Sequence, residues 1–357
     1  MILHVFNCDN DMALASNSPG YTPPISITRM MDDMALLPTR WAKHGDGVLC
    51  IDHTEPTKSR VWIVDTPSPK TEDWTRLEDI GQGSYTTIEE VLPTLTEIRP
   101  WGWSHAIRHR LMRGGIPEHL LPSKEQIEAI RQLSSREKAV ETLTRLTSRH
   151  FTDTSNTEST QVKETKESPN NKNTHNIFVG ESRYCRTEEE VEHLLSVWGK
   201  TILKAPWSGS GKGLRYGQGG REDTLAGWYR RIISQQGGVV VEPFYNKTAD
   251  FAMEFFCEKN GEVKYKGLSV FENHPNGTYS SNRLWSEEEK MQWLYGYAPL
   301  EAITFLQKEL ETQLSLMIGN TYHGPLGVDM MVVDGRYIHP CVEINLRTTM
   351  GYVSLPD

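Results

Sequence analysis

Cysteine is scarce and scattered in this chain: Cys8, Cys50, Cys185, Cys257 and Cys341 are the five in 357 residues, and none lies near another. That excludes the paired spacings of zinc sites and the dense frameworks of small secreted domains, and it fits a reducing compartment. A basic excess is also lacking. With 38 Lys and Arg against 47 Asp and Glu the formal net charge is −9, which argues against a nucleic-acid partner, because backbone phosphates are bound by basic patches. No apolar run approaches the ~18 residues of a membrane span, and the start, "MILHVFNCDND", has no basic leader before an apolar core. A cytoplasmic protein with no membrane and no nucleic-acid partner is expected. A chain of 357 residues is too long for one compact core, so two or three lobes are expected, with clefts between them.

Apolar residues are missing from one internal stretch. Residues 152–175 contain a single aliphatic side chain, Val162, and no aromatic, so burial cannot offset the entropy of ordering them, and a disordered insertion is expected there. Before it, "ILHVF", "GVLCID" and "RVWIVD" read as short strands. "SHAIRHRLMRGG" and "SKEQIEAIRQLSS" read as helices, with Ser104 and Ser123 as N-caps and Gly114 as a stop. This half has the pattern of an α/β lobe. After the insertion, "TEEEVEHLLSVWG" reads as a helix capped by Thr187 with three acids in its first turn and Gly199 as its end, followed by the strand "KTILKAP".

That strand runs straight into "WSGSGKGLRYG", which has glycines at 209, 211 and 213 beside Lys204 and Lys212. Bare backbone N–H groups next to a compact cation suit a phosphate. The stretch is not a Walker A loop, because Pro206 stands five before Gly211 and Gly213 follows Lys212. It is not G-x-G-x-x-G either, since Leu214 or Tyr216 occupies the third glycine's place. Leu214 and Tyr216 alternate as in a strand, so the unit is strand, glycine loop, strand. Such a loop is either a flap that folds over phosphates or a glycine-rich hairpin with no ligand.

Further on, "GGVVVEPFYNKTADFAMEFF" takes a buried strand into Glu242 and Pro243, then a second strand carrying Asp250 and Glu254. The acid and proline fit an edge-strand exit, and exposed backbone after a strand also suits recognition of an adenine edge. The last segment, "GPLGVDMMVVDGRYIHPCVEINLRTTMG", is a hairpin around Asp334-Gly335. Glu343 and Asn345, two apart, share a face. Asp329 joins them only if the register allows it. A two-residue turn at Asp334-Gly335 places Asp329 opposite Pro340 and Glu343 on the other face. A three-residue loop ending at Arg336, or a bulge at Pro340, places Asp329 opposite Cys341, with Glu343 diagonal to it at about 7–8 Å between Cα atoms. Three oxygen ligands on one face suit magnesium, and solvated acids on a hairpin are the plainer alternative.

Other features point to structure. His105 and His109 sit four apart on a helix but lack the glutamate of a zinc protease, and the tryptophans of "RPWGWSHA" suit interdomain packing. No Ser-His-Asp or Cys-His arrangement has a local signature. The loop "NCDNDMALASNSPGYTPP" offers Asn7, Asp9, Asn10 and Asp11 either as substrate contacts or as a capped turn opening a helix.

Taken in order, the basic residues of "SSREK", the lysine of "LKAPWSGSGKG", the strand end "VVVEPFY", the acid of "ADFAMEF" and "GVDMMV…VEINLR" resemble the ATP-grasp superfamily over about residues 134–350. The resemblance implies an N-terminal α/β lobe, 1–125, on the substrate side. A first ATP-grasp lobe, 126–245, follows, then a second, 246–357, carrying the metal site. It implies an ATP- and Mg2+-dependent ligase that joins a small-molecule carboxylate to an amine through an acylphosphate and releases ADP; a homodimer is compatible with it. A kinase-like phosphotransferase and a non-catalytic nucleotide-binding module are the alternatives. It implies Lys204 and Arg347 as catalytic residues, Arg347 facing the transferred phosphoryl group. Ser208, Gly209, Ser210, Gly211, Lys212 and Gly213 would form the flap, and Glu242, Pro243, Phe244 and Tyr245 the adenine hinge. Asp250 would hold the ribose, either Arg136 or Lys138 the phosphate, and Asp329, Glu343 and Asn345 the magnesium. Three departures stand out: Pro243 lacks an N–H in the hinge, Leu346 replaces a common proline, and ten residues follow Arg347, which leaves little chain to close the site.

Overall fold

A computed structural model describes residues 1–68, 81–148, 177–209, 213–219, 222–273 and 279–355. The insertion 152–175 and the loop residues Ser210, Gly211 and Lys212 lie outside them. Among the described residues there are three sheets.

The first belongs to the N-terminal lobe. Strands β1 (Ile2–Val5), β2 (Gly47–Cys50), β3 (Arg60–Val64), β4 (Gly83–Thr87) and β5 (Glu97–Pro100) lie in the order β4-β3-β2-β1-β5. β1 is parallel to β2 and β5, while β3 and β4 run antiparallel. Leu3, Val5, Leu49, Val61 and Ile98 supply a core shared with Ile107 and Leu111 of the helix His105–Arg113. Ser104 caps that helix by accepting from the Ile107 N–H, and Gly114 ends it, as the sequence pattern requires.

The second sheet is antiparallel: β6 (Arg183–Cys185), β7 (Lys200–Lys204), β8 (Leu214–Gln218) and β9 (Val239–Pro243), in the order β6-β9-β7-β8. Its core is closed by the helices Glu188–Trp198 and Asp223–Gln236. The former opens with a full capping box between Thr187 and Glu190.

The third sheet comprises β10 (Lys247–Cys257), β11 (Val263–Asn273), β12 (Tyr279–Asn282), β13 (Gly324–Val333) and β14 (Tyr337–Asn345), in the order β12-β11-β10-β13-β14. Phe251, Met253, Phe255, Leu326, Val328 and Met330 share a core with Leu306, Leu310 and Leu314 of the helix Leu300–Ile318. Cross-strand partners share a face. Ala252 pairs Asp329 and Glu254 pairs Gly327, so the opposite face carries Asp250, Glu254, Asp329, Glu343 and Asn345. The helix Arg136–Ser148 precedes the second sheet in sequence, yet its Ala139, Leu143 and Leu146 are buried in the third sheet's core. No helix among the described residues is long and apolar enough to cross a membrane.

Candidate active site

The hairpin β13–β14 sets the register on which the acidic face depends. Asp334 and Gly335 both have positive φ, 51° and 68°, and the Arg336 N–H closes a tight turn on the Val333 carbonyl at 3.2 Å. The ladder then resumes with Tyr337, not Arg336, opposite Val333. A second irregularity falls between Asp329 and Met331, beside Pro340, which has no N–H to donate. Met331 pairs His339, and Asp329 pairs Glu343. The diagonal arrangement expected from sequence is therefore corrected: the three-residue loop shifts the pairing by one and the irregularity at Pro340 shifts it by two more, so Glu343 lies directly opposite Asp329.

Two carboxylates so placed repel one another. Burial pushes the Asp329 carboxyl up to about 7, and the charge of Glu343 is the next cause. Asn345 donates to Asp329 Oδ2 at 3.1 Å and accepts from Arg347 Nη2 at 3.0 Å. Two opposed carboxylates with an amide oxygen alongside are the ligand types that suit a hard divalent cation. Among the described residues no cluster of three or more His, Cys, Asp or Glu side chains is placed to hold a metal, so this set of two carboxylates and an amide is the candidate.

Among the described residues, the cations named from sequence all carry protein partners. Lys204 Nζ meets Glu242 Oε2 at 2.7 Å, both buried, and Glu242 also accepts from Ser182. Arg136 Nη2 meets Glu343 Oε1 at 2.7 Å, while its Nη1 donates to the Ala205 carbonyl and the Ser208 hydroxyl. Lys138, the other candidate, turns aside to Glu141 at 2.7 Å. Arg347 grips Asp11 with two bonds of 2.8 Å, from Nε and Nη2. Burial alone would lower the guanidinium's pKa, but the Asp11 carboxylate outweighs it and holds the group firmly charged. Asp250 accepts from Lys247 at 2.5 Å.

The glycine loop is rooted firmly at both ends. The Ala205 N–H bonds the Gly213 carbonyl at 2.9 Å, continuing the β7–β8 ladder. A Cβ on Gly213 would fall 2.2 Å from Ser208 Oγ, so only glycine fits there. Trp207, buried and unremarked in the sequence, donates its indole N–H to the Arg131 carbonyl at 2.9 Å and lies under the Arg131 guanidinium at 3.7 Å. Its signal was only an aromatic among glycines. At the hinge, the Phe244 N–H bonds the Lys200 carbonyl, and Tyr245 OH accepts from the Glu181 N–H at 2.7 Å. Gly209 lies against Asp11.

The N-terminal loop turns directly into a helix. It opens the helix Asn10–Ser16, with Asp9 at the N-cap position but making no side-chain cap bond. Asn7 is bonded to the Gly102 carbonyl, and buried Asp9 pairs with Arg110 at 2.5 Å. Asp11 instead reaches the cleft. That cleft is lined by Asn10 and Asp11 of the N-terminal lobe, Ser208 of the glycine loop, and Glu343, Asn345 and Arg347 of the third sheet. Nor is the site left open after Arg347: the short helix Met350–Val353 packs over the third sheet, and Val353 joins Phe6, Leu37 and Trp101. His105 and His109 have no part in it; His105 faces Glu128 at 3.9 Å.

Fold and site define a protein with an N-terminal α/β lobe followed by two α+β lobes that face each other across a charged cleft. The resemblance to the ATP-grasp superfamily is carried by the motif order of the sequence. No protein-family model matches the chain, and no curated protein matches it. Among solved structures it is similar to N5-carboxyaminoimidazole synthetase from Staphylococcus aureus complexed with ADP, at 12% identity over 98% of this chain and 71% of that one, TM-score 0.45. It is similar to D-alanyl-alanine synthetase A from Vibrio cholerae, at 12% identity over 98% and 90%, TM-score 0.47. The biotin carboxylase domain of the 2-oxoglutarate carboxylase from Hydrogenobacter thermophilus matches at 13% over 73% of this chain and 50% of that one, TM-score 0.45. With every one of these TM-scores below 0.5, the functional reading rests on the geometry above.

Proposed function

We propose that the chain is an ATP- and Mg2+-dependent ligase of the ATP-grasp type, joining a carboxylate to an amine through an acylphosphate. The observation that carries this is the cross-strand pair Asp329–Glu343, with Asn345, met by two cations, Arg136 on Glu343 and Arg347 on Asn345, where the lobes meet.

A carboxylate is a poor acyl donor, and its activation consumes the γ-phosphoryl group of ATP: the carboxylate oxygen attacks phosphorus and ADP leaves. In this reading the hinge, Glu242 to Tyr245, seats the adenine, and Lys204 lies on the strand beneath it. Asp250 takes the ribose hydroxyls. The glycine loop closes over the phosphates with its N–H groups. Arg347 is fixed by Asp11 and Asn345 within reach of the phosphoryl group in transit, where a preorganised guanidinium stabilises developing charge. Asp329, Glu343 and Asn345 would hold Mg2+, which supplies charge neutralisation when bound. The amine then displaces phosphate from the acyl carbon and loses a proton.

A metabolite screen for ADP release, followed by mass spectrometry of the product, tests the reading. Release that requires both an acid and an amine is expected. A phosphorylated product that persists without amine would identify a phosphotransferase, and tight ATP binding with no turnover would identify a binding module.

A further inference from the structure

Arg136 holds a residue assigned above to the metal. Its Nη2 lies 2.7 Å from Glu343 Oε1, its Nη1 donates to Ala205 O at 2.6 Å and Ser208 Oγ at 2.8 Å, and the side chain is almost wholly buried. Among the described residues it is the one candidate phosphate cation paired with a carboxylate of the metal set. Lys204 is held by Glu242, and Arg347 by the Asp11 carboxylate and the Asn345 amide oxygen. Arg136 is therefore assigned to phosphate and Glu343 to Mg2+, yet each occupies the other here.

We infer that Arg136 is a gate on the metal site: in the empty cleft it neutralises Glu343, and a nucleotide phosphate draws it away and releases the carboxylate for the cation. The inference rests on the function proposed above. The physics is competition for one carboxylate. A guanidinium at 2.7 Å cancels most of the field that would attract a cation, and it fills one lone-pair direction of Oε1. Asp329 alone, opposite it, offers one carboxylate and one amide neighbour. A phosphate presented beneath the glycine loop offers Arg136 a more highly charged partner, and Ser208, at the root of that loop, already bonds its Nη1. Arg136 lies at the start of the helix Arg136–Ser148, anchored by its backbone N–H on the Pro206 carbonyl at 3.1 Å, so a change of rotamer makes the exchange without moving the helix. Nucleotide and metal affinities are then linked through a protein side chain, beyond any ligation of the metal by the phosphates.

The test is Mn2+ binding to the full chain without nucleotide, read from loss of the free-ion electron paramagnetic resonance signal. Wild type should bind weakly, and Arg136→Gln about tenfold more tightly, within the usual range of coupling between sites. A residue that only supports the fold would lower metal affinity on removal, never raise it. Ser208→Ala, which frees one of the bonds holding Arg136, should shift affinity the same way by about two- to threefold, and it serves if Arg136→Gln fails to fold. Equal Mn2+ affinity in wild type and the variants overturns the gate but leaves the ligase reading standing. Failure of wild type to bind Mn2+ even with an unhydrolysable ATP analogue overturns the metal site itself.

Discussion

Glu254 is the buried acid that the proposed function does not use. It lies on the acidic face, accepts from Thr349 Oγ1 at 2.8 Å, and is so enclosed that a Cβ on Gly351 or Gly327 would strike its carboxylate. Burial pushes its carboxyl from 4.5 up to about 8, with Asp329 adding to the rise. The folded state therefore keeps a proton that the unfolded chain has already lost. This group's contribution to stability is complete below pH 4.5 and declines as pH rises toward 8, by up to about 1.4 kcal/mol per unit. Glu254→Gln keeps the hydrogen bond and cannot ionise, so its melting temperature relative to wild type should climb between pH 5 and 8. Parallel melting curves across that range check it; a constant offset would mean that Glu254 is ionised in the fold.

At the scale of the element, the hairpin β13–β14 decides whether the acidic face is a site. Because Asp329 and Glu343 are directly opposed, Asp329→Asn and Glu343→Gln should behave alike. Each should cut turnover by two orders of magnitude or more, leave ATP binding within about tenfold, and respond to excess Mg2+. Steady-state kinetics across a magnesium series checks this, and a silent Asp329→Asn would dissolve the shared site. Most of this element was legible in the chain: the alternation showed two strands, Asp334-Gly335 showed the turn, and Pro340 marked the place where the ladder breaks. How far the ladder slips was not legible, because the loop and the irregularity at Pro340 both alter the pairing and local sequence does not say by how many residues. The strands on either side of the glycine loop were equally readable from their periodicity. Asp11 was visible only as one of four polar residues in a loop. Its partner Arg347 lies 336 positions away, a separation that no local pattern spans. Trp207 went unread for the same reason, since its role comes from Arg131 on another element.

On the scale of the whole molecule the lobes are not equally joined. The Thr348 N–H bonds the Trp101 carbonyl at 2.8 Å, Trp103 packs against the cores of both the first and third sheets, and Val353 sits with Phe6, Leu37 and Trp101. Gln126 adds a bond to the Thr321 carbonyl. The second sheet keeps its own core; it meets the third at the hinge, where the Tyr245 ring lies edge-on to His339 of β14, and at the foot of the glycine loop through Arg136, which joins Ala205 and Ser208 to Glu343. Binding of an ATP analogue should therefore slow hydrogen exchange over residues 200–218 and leave 101–103 and 348–353 unchanged, as mass spectrometry can show; protection concentrated at the latter would reverse the assignment of the moving part. In mechanical terms the chain is a vice with one jaw bolted to its frame. In the proposed function, travel of the free jaw would alter access for the nucleotide, while a substrate held on the N-terminal lobe would keep a constant distance from Asp329 and Glu343 throughout the stroke.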